Sequence, residues 1–170
     1  MADTSTVRER LSWRSDTGTH ERIRRLWVRH SIAEDRRDLH GLIATLAPDC
    51  VYEIPSSGQR WEGHDGARRF YTEFLTAFPD VHFDLADIVI GPQGVIEIAQ
   101  MTGTHRGAWA GLQPTGDPIA LTVVIHFPWD PEAGLFAGER IYLDRAPQPA
   151  AEGVAVASQP GSGSPNLPTR

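Results

Sequence analysis

Residues 67–90 read ARRFYTEFLTAFPDVHFDLADIVI, and within this stretch the hydrophobic period changes. Ala67, Phe70, Tyr71, Phe74, Leu75 and Phe78 recur at helical spacing, with Arg68, Arg69, Thr72, Glu73 and Thr76 on the other side, so one stripe of a helix is apolar. Pro79 has no N–H to donate and ends that helix. From Val81 to Ile90 the period is two. Three further runs, Val95 to Arg106, Ile119 to Phe127 and Leu135 to Asp144, are likewise rich in β-branched and aromatic residues, with glycine- and proline-bearing turns between them. Strands that follow one another through turn-length connections pair antiparallel and bury one face under helices.

Upstream, Ile23, Leu26, Trp27 and His30 fall at helical spacing. Leu39, Leu42, Ile43 and Leu46 do the same behind Asp38, an N-cap residue, until Ala47-Pro48-Asp49 stops them. Cys50 to Ile54 reads as a strand closed by Pro55 and a Ser56-Ser57-Gly58 turn. The expected class is α+β, with three N-terminal helices packed on a mostly antiparallel sheet and residues 19–146 forming one domain. Residues 1–18 lack period and residues 147–170 are rich in Pro, Gly and Ser, so both ends are expected to be disordered.

Composition removes several chemistries. The net charge of -6 argues against general nucleic-acid binding, and the nine basic residues between Arg8 and Arg37 read as a solvated helix face. All 16 basic residues are arginine, so there is no lysine for a Schiff base or a Walker-type phosphate loop. Cys50 is the only cysteine, makes no internal disulfide and reads as a small core residue. No apolar run reaches 18 residues, so neither a membrane span nor a signal peptide is expected, and the expected location is cytoplasmic. No H-x-x-x-H, H-E-x-x-H, C-x-x-C, G-x-S-x-G or G-x-G-x-x-G pattern occurs, and neither a metal nor a cofactor is expected.

Four short motifs occur in order: Ala77-Phe78-Pro79-Asp80, Gly103-Thr104-His105-Arg106-Gly107, Gly111-Leu112-Gln113-Pro114-Thr115-Gly116 and Glu139-Arg140-Ile141-Tyr142-Leu143-Asp144. With the element order, this pattern resembles the SnoaL-like polyketide cyclases and the related ester cyclases over about residues 20–146. The resemblance implies a cone-shaped fold like that of nuclear transport factor 2, in which a curved sheet wraps a long helix around an apolar cavity. It further implies a homodimer through the outer sheet face. The implied activity is cofactor-free acid/base cyclisation or isomerisation of a polyketide- or ring-like carbonyl compound. A noncatalytic ligand-binding or dimerisation module is the alternative, and epoxide or ester hydrolysis through Arg140 and Asp144 a third reading.

His126 stands in the otherwise apolar run Val123 to Phe127, where a polar ring must find a partner indoors or face a cavity. The family carries a histidine on the equivalent strand and an acid/base aspartate on the next, in a stretch that typically reads Glu-His-Trp-Asp. Here that aspartate position is Tyr142, and Asp144, two residues on, shares its face. Strand pairing leaves two constellations open. A four-residue loop at 131–134 sets His126 opposite Glu139, whereas one bulge at Ala137-Gly138 sets it beside Tyr142 and Asp144. His126, Tyr142, Asp144 and Glu139 are therefore the catalytic candidates. Trp27, Tyr52, Trp61, Phe74, Phe78, His105 and Trp109 are the candidates for the wall of a site that takes a small apolar or aromatic ligand.

Overall fold

The structure, a computed structural model, describes residues 7–144. Its helices are α1 (Val7–Leu11), α2 (Thr17–Asp35), α3 (Leu39–Ile43) and α4 (Gly63–Ala77). Its strands are β1 (Leu46–Ile54), β2 (Gln59–Glu62), β3 (His82–Gly91), β4 (Gly94–Thr104), β5 (Pro118–Asp130) and β6 (Leu135–Leu143). The strands form one sheet in the order β2-β1-β6-β5-β4-β3, antiparallel except for the β1–β6 pair. The architecture is the α+β arrangement of a curved sheet over a long helix, with α4 lying against β1 and α2 against β3 and β4.

Local chemistry explains most boundaries. Asp16 caps α2 by accepting from the Thr19 N–H, and Asp38 caps α3 by accepting from the Gly41 N–H. The end of α2 is a Schellman turn, with Asp38 N–H on the Ala33 carbonyl and Arg37 N–H on the Glu34 carbonyl, each at 2.8 Å. Arg37 sits there at φ 54, where glycine is the usual residue.

Three details differ from the sequence reading. The second expected helix is shorter, because Leu46 opens β1 opposite Phe136 instead of ending α3. A short strand, β2, precedes α4 and pairs with β1 from Ile54↔Gln59 to Val51↔Glu62. Residues 7–11 within the expected disordered leader form α1, whose Arg10 carbonyl accepts from Gln93 Nε2 at 2.9 Å. The expected disordered tail, 147–170, lies outside the described residues.

Two of the sequence motifs prove to be one joint. The Asp80 carboxylate accepts from the Thr104 N–H at 2.7 Å and from the Thr104 hydroxyl at 2.6 Å. The N–H groups of Arg106 and Gly107 both donate to the Ala77 carbonyl. A Cβ on Gly107 would sit 3.0 Å from Ala77 Cα, so a side chain there would press the two backbones apart. The end of α4 is thus tied to the end of β4. Asp80→Ala is expected to lower the melting temperature by roughly 3 °C through loss of both bonds, measured by differential scanning calorimetry against Asp80→Asn, which keeps one acceptor.

Candidate functional site

Alternation along the central strands sorts residues to two faces. Toward the helices point Val95, Glu97, Ala99 and Met101 of β4, Ile119, Leu121, Val123, Ile125 and Phe127 of β5, and Glu139 and Ile141 of β6, all buried. Outward point Ile96 and Ile98, Val124 and His126, and Arg140 and Tyr142.

The loop 131–134 does open the hairpin at Asp130↔Leu135 and Trp129↔Phe136, but the register then slips by one residue so that His126 faces Arg140. Gly138 absorbs part of this irregularity at φ 119, where it lies so close to the Val51 carbonyl of β1 that a Cβ would collide with it. The bulged register is therefore the one adopted. Its effect is to bring His126, Arg140 and Tyr142 together on the outer face while Glu139 turns inward.

This corrects the site drawn from sequence. His126 is half-buried outside the cavity, and its pKa is lowered by burial and by the charges of Arg140 and Arg10 against an opposing hydrogen bond with the Gln93 backbone. Tyr142 is 47% exposed across the strand from Val124. Asp144 is exposed at the strand end. Arg140 is paired with Glu53 at 2.7 Å, again outside, so an Arg140–Asp144 hydrolytic relay has no access to the cavity. The physical reason is that the outer sheet face carries Ile96, Ile98 and Val124, which makes the apolar run around His126 two-sided and hides which side is interior.

Glu139 is the candidate that the fold places indoors, 2% exposed. Its Oε1 accepts from the Tyr71 hydroxyl at 2.7 Å and the Tyr52 hydroxyl at 2.8 Å, and lies 3.0 Å from His30 Nε2. On the far side of the ring, His30 Nδ1 is 2.7 Å from the Thr45 hydroxyl, whose own proton goes to the Leu42 carbonyl at 2.6 Å. Thr45 must therefore accept, and Nδ1 must carry a proton. The Nε2 edge of the ring faces both Glu139 Oε1 and, at 3.1 Å, the Tyr71 hydroxyl. Burial, and after it the Glu139 charge, hold the Tyr52 and Tyr71 phenols well above their ordinary value, keeping both as donors. Both phenols and the Nε2 edge of His30 thus converge on Oε1.

Beside Glu139 lies a small cavity of about 20 Å³, bounded by Phe70, Phe74, Phe83, Met101, Trp109, Val123, Ile125, Ile141 and Leu143, with Glu34 as its second carboxyl group. A hollow of about 110 Å³ adjoins it, sharing Glu34, Phe74 and Phe83 and opening past Asp35, Arg37 and His82. Burial, then the charges of Glu139, Glu97 and Asp35, push the Glu34 pKa well above the usual carboxylate value. Glu97, 7% exposed, accepts from Trp27 Nε1 at 3.2 Å, and its pKa is pushed up to about 7 by burial and then by Glu139.

The expected wall residues divide. Phe74 and Trp109 line the cavity, and Tyr52 holds Glu139. Trp27 serves Glu97 instead. Trp61 donates to Glu73 and lines a separate groove. Phe78 and His105 stack on each other with ring centroids 5.1 Å apart, both buried and away from the cavity lining. Sequence reasoning passed over His30, Tyr71, Glu34 and Glu97. Two signals were available: His30 interrupts the apolar stripe of α2, and Glu97 alone carries charge among the inward positions of β4. Cys50 is buried as expected, and burial with neighbouring Asp49 and Glu139 pushes its thiol up to about 11. Among the described residues no three His, Cys, Asp or Glu side chains are arranged to hold a metal ion, and no helix is long and apolar enough to cross a membrane.

A family model described as SnoaL-like polyketide cyclase matches residues 21–150. No curated protein is significantly similar. Among solved structures, a provisionally designated SnoaL-like polyketide cyclase from Jannaschia sp. CCS1 is similar at 19% identity and a TM-score of 0.63, over 78% of this chain and 92% of that one. An NTF2-like protein of unknown function from Burkholderia pseudomallei K96243 is similar at 19% identity and a TM-score of 0.61, over 72% and 91%. A provisionally designated ketosteroid isomerase from Kribbella flavida DSM 17836 is similar at 18% identity and a TM-score of 0.59, over 84% and 93%. At these identities the likeness concerns the fold.

Proposed function

This chain belongs to the SnoaL-like polyketide cyclase family, and we propose that it moves a proton on a small ring-shaped carbonyl compound, as an isomerase or cyclase that needs no cofactor. The observation that carries the reading is Glu139, a buried carboxylate with Tyr52, Tyr71 and His30 all meeting it at Oε1, beside an apolar cavity whose other carboxyl group is the acid Glu34. Glu139 Oε2 removes a proton from the carbon next to the carbonyl. Glu34, kept neutral by burial, gives a hydrogen bond or its proton to the oxygen of the resulting enolate. Glu139 then returns its proton to the ring at a new position, or the enolate carbon closes on a second carbonyl. Tyr52, Tyr71 and His30 hold the carboxylate in place and keep its charge tolerable out of water.

The test is the isomerisation of 3-cyclohexenone to its conjugated isomer, followed by ultraviolet absorbance, together with deuterium uptake from D₂O at the α-carbon. A rate above that of buffer with an equal concentration of acetate supports the reading, and a rate equal to it sinks it. The cavity of about 20 Å³ admits about one water, which favours the second reading, a noncatalytic binding module. Binding of the ketone without exchange is the result that module predicts.

For the outer face the proposed occupant is a second copy of this chain. Val89 and Tyr142, 57% and 47% exposed, flank Ile96, Ile98 and Val124 there. Sedimentation is expected to give a dimer, with Val124→Arg raising its dissociation constant by about tenfold or more. A monomeric wild type rules the dimer out.

A further inference from the structure

Trp109 belongs to two walls at once. On one side it bounds the cavity beside Glu139, and on the other an open groove of about 390 Å³ that Gln59, Trp61 and Glu73 help to line. That volume falls in the range of roughly 300–1,000 Å³ typical of small-molecule sites, whereas the cavity alone does not.

Two polar atoms of this groove are orphans. Trp109 is 4% exposed, yet its indole Nε1 has no hydrogen-bond partner, and the Gln59 Oε1 atom is buried without one. The neighbouring indole differs, since Trp61 Nε1 donates to Glu73 at 3.3 Å. Buried polar atoms are nearly always paired, and a lone donor and a lone acceptor on two residues that line one groove point to a ligand that supplies both partners. Gln59 and the loop that carries Trp109 are adjacent, a Cβ on Gly111 lying 3.9 Å from Gln59 Nε2. That loop is a two-residue turn, closed by Trp109 and Leu112 exchanging backbone bonds of 3.0 and 2.8 Å, with Ala110 at φ 52 and Gly111 at φ 80. Alanine in the left-handed region is strained, and strain of this kind concentrates at ligand-contacting loops.

We propose that the groove is a second binding subsite, which takes the remote ring of a flat, multi-ring hydroxy-carbonyl ligand while another ring reaches toward Glu139. A ligand carbonyl accepts from Trp109 Nε1, a ligand hydroxyl donates to Gln59 Oε1, and the ring lies against Trp61. A small lift of the 109–112 turn exposes both atoms and joins the groove to the cavity. The proposal rests on the acid/base reading only for which end of the ligand reacts.

The experiment titrates full-length protein with 1,8-dihydroxyanthraquinone, a three-ring probe, and with 2-cyclohexenone, a one-ring probe, by calorimetry. Gln59→Leu, which lies outside the cavity lining, is expected to weaken the three-ring probe about tenfold and leave the one-ring probe unchanged, and Trp109→Phe, which keeps the packing on Phe74 and Phe78, is expected to weaken the three-ring probe about tenfold. In wild-type protein the three-ring probe shifts the Trp109 indole N–H resonance, identified by its absence from Trp109→Phe. Absence of that shift, unaltered affinity in both variants, or equal weakening of both probes by Gln59→Leu overturns the subsite. Glu139→Gln separates the two ideas, because it tests proton transfer and leaves the groove contacts of the three-ring probe in place.

Discussion

Glu139→Gln is expected to slow the isomerisation of 3-cyclohexenone by about 10²- to 10⁴-fold, the loss that follows when a positioned base is removed. The amide keeps the shape of the side chain and leaves an oxygen for Tyr52, Tyr71 and His30 to meet, so the fold survives and the loss reports chemistry. His126→Ala, Tyr142→Phe and Asp144→Asn serve as controls. All three positions lie on or at the end of the outer sheet face, and all three variants are expected to retain the wild-type rate. A loss in His126→Ala as large as that in Glu139→Gln would place the reacting centre on the wrong side of the sheet. The pH profile adds a second check: the rate falls as pH rises through the raised Glu34 value, because the proton that serves the enolate oxygen is then gone.

The second large effect concerns stability. In the folded chain the Glu97 pKa is about 7, against an ordinary value of 4.5. Between those pH values the unfolded carboxyl is ionised while the folded one keeps its proton, so the folded state binds more protons and stability falls as pH rises. The contribution is fully present below about 4.5 and lost by the time the pH has passed 7. A shift of this size corresponds to about 3 kcal/mol. Glu97→Gln retains an acceptor for Trp27 Nε1 and has nothing to ionise. It is expected to be more stable than wild type at pH 8 by about 3 kcal/mol and nearly equal to it at pH 4, measured by urea denaturation at both pH values. The same decline in both proteins would show that Glu97 is not the group responsible.

The framework was legible because period and punctuation agree. Between Ala67 and Ile90 a helical stripe, a proline and an alternating run follow in sequence, and α4 and β3 form there within a few residues of the reading. Asp38 was legible as a cap because its role is local. What was not legible depends on distant partners. α1 bonds to Gln93 on the turn between β3 and β4, and β2 is only four residues long, too short to show a period. The same division runs through the site. Glu139 was visible as a candidate, but its partners come from α2, β1 and α4, and no local pattern announces that these elements converge on one oxygen atom. Glu34 sits in the charged run Glu34-Asp35-Arg36-Arg37 and reads as solvated, although the Schellman turn after it directs that end of α2 to the mouth of the cavity. His126 was misleading for the opposite reason: its neighbours are apolar on both faces of the sheet.

The irregularity at Gly138 has a consequence for reading relatives and for engineering this chain. A strand with one surplus residue behaves as a parity switch, since everything after it exchanges inside for outside. Pairing the intact sequence without the bulge would set Glu139 beside His126 on the outer face and turn Arg140 and Tyr142 to the cavity, whereas deleting the surplus residue at 137–138 would remove the bulge and keep Glu139 indoors. An alignment that misplaces a single gap in this strand makes the same exchange on paper.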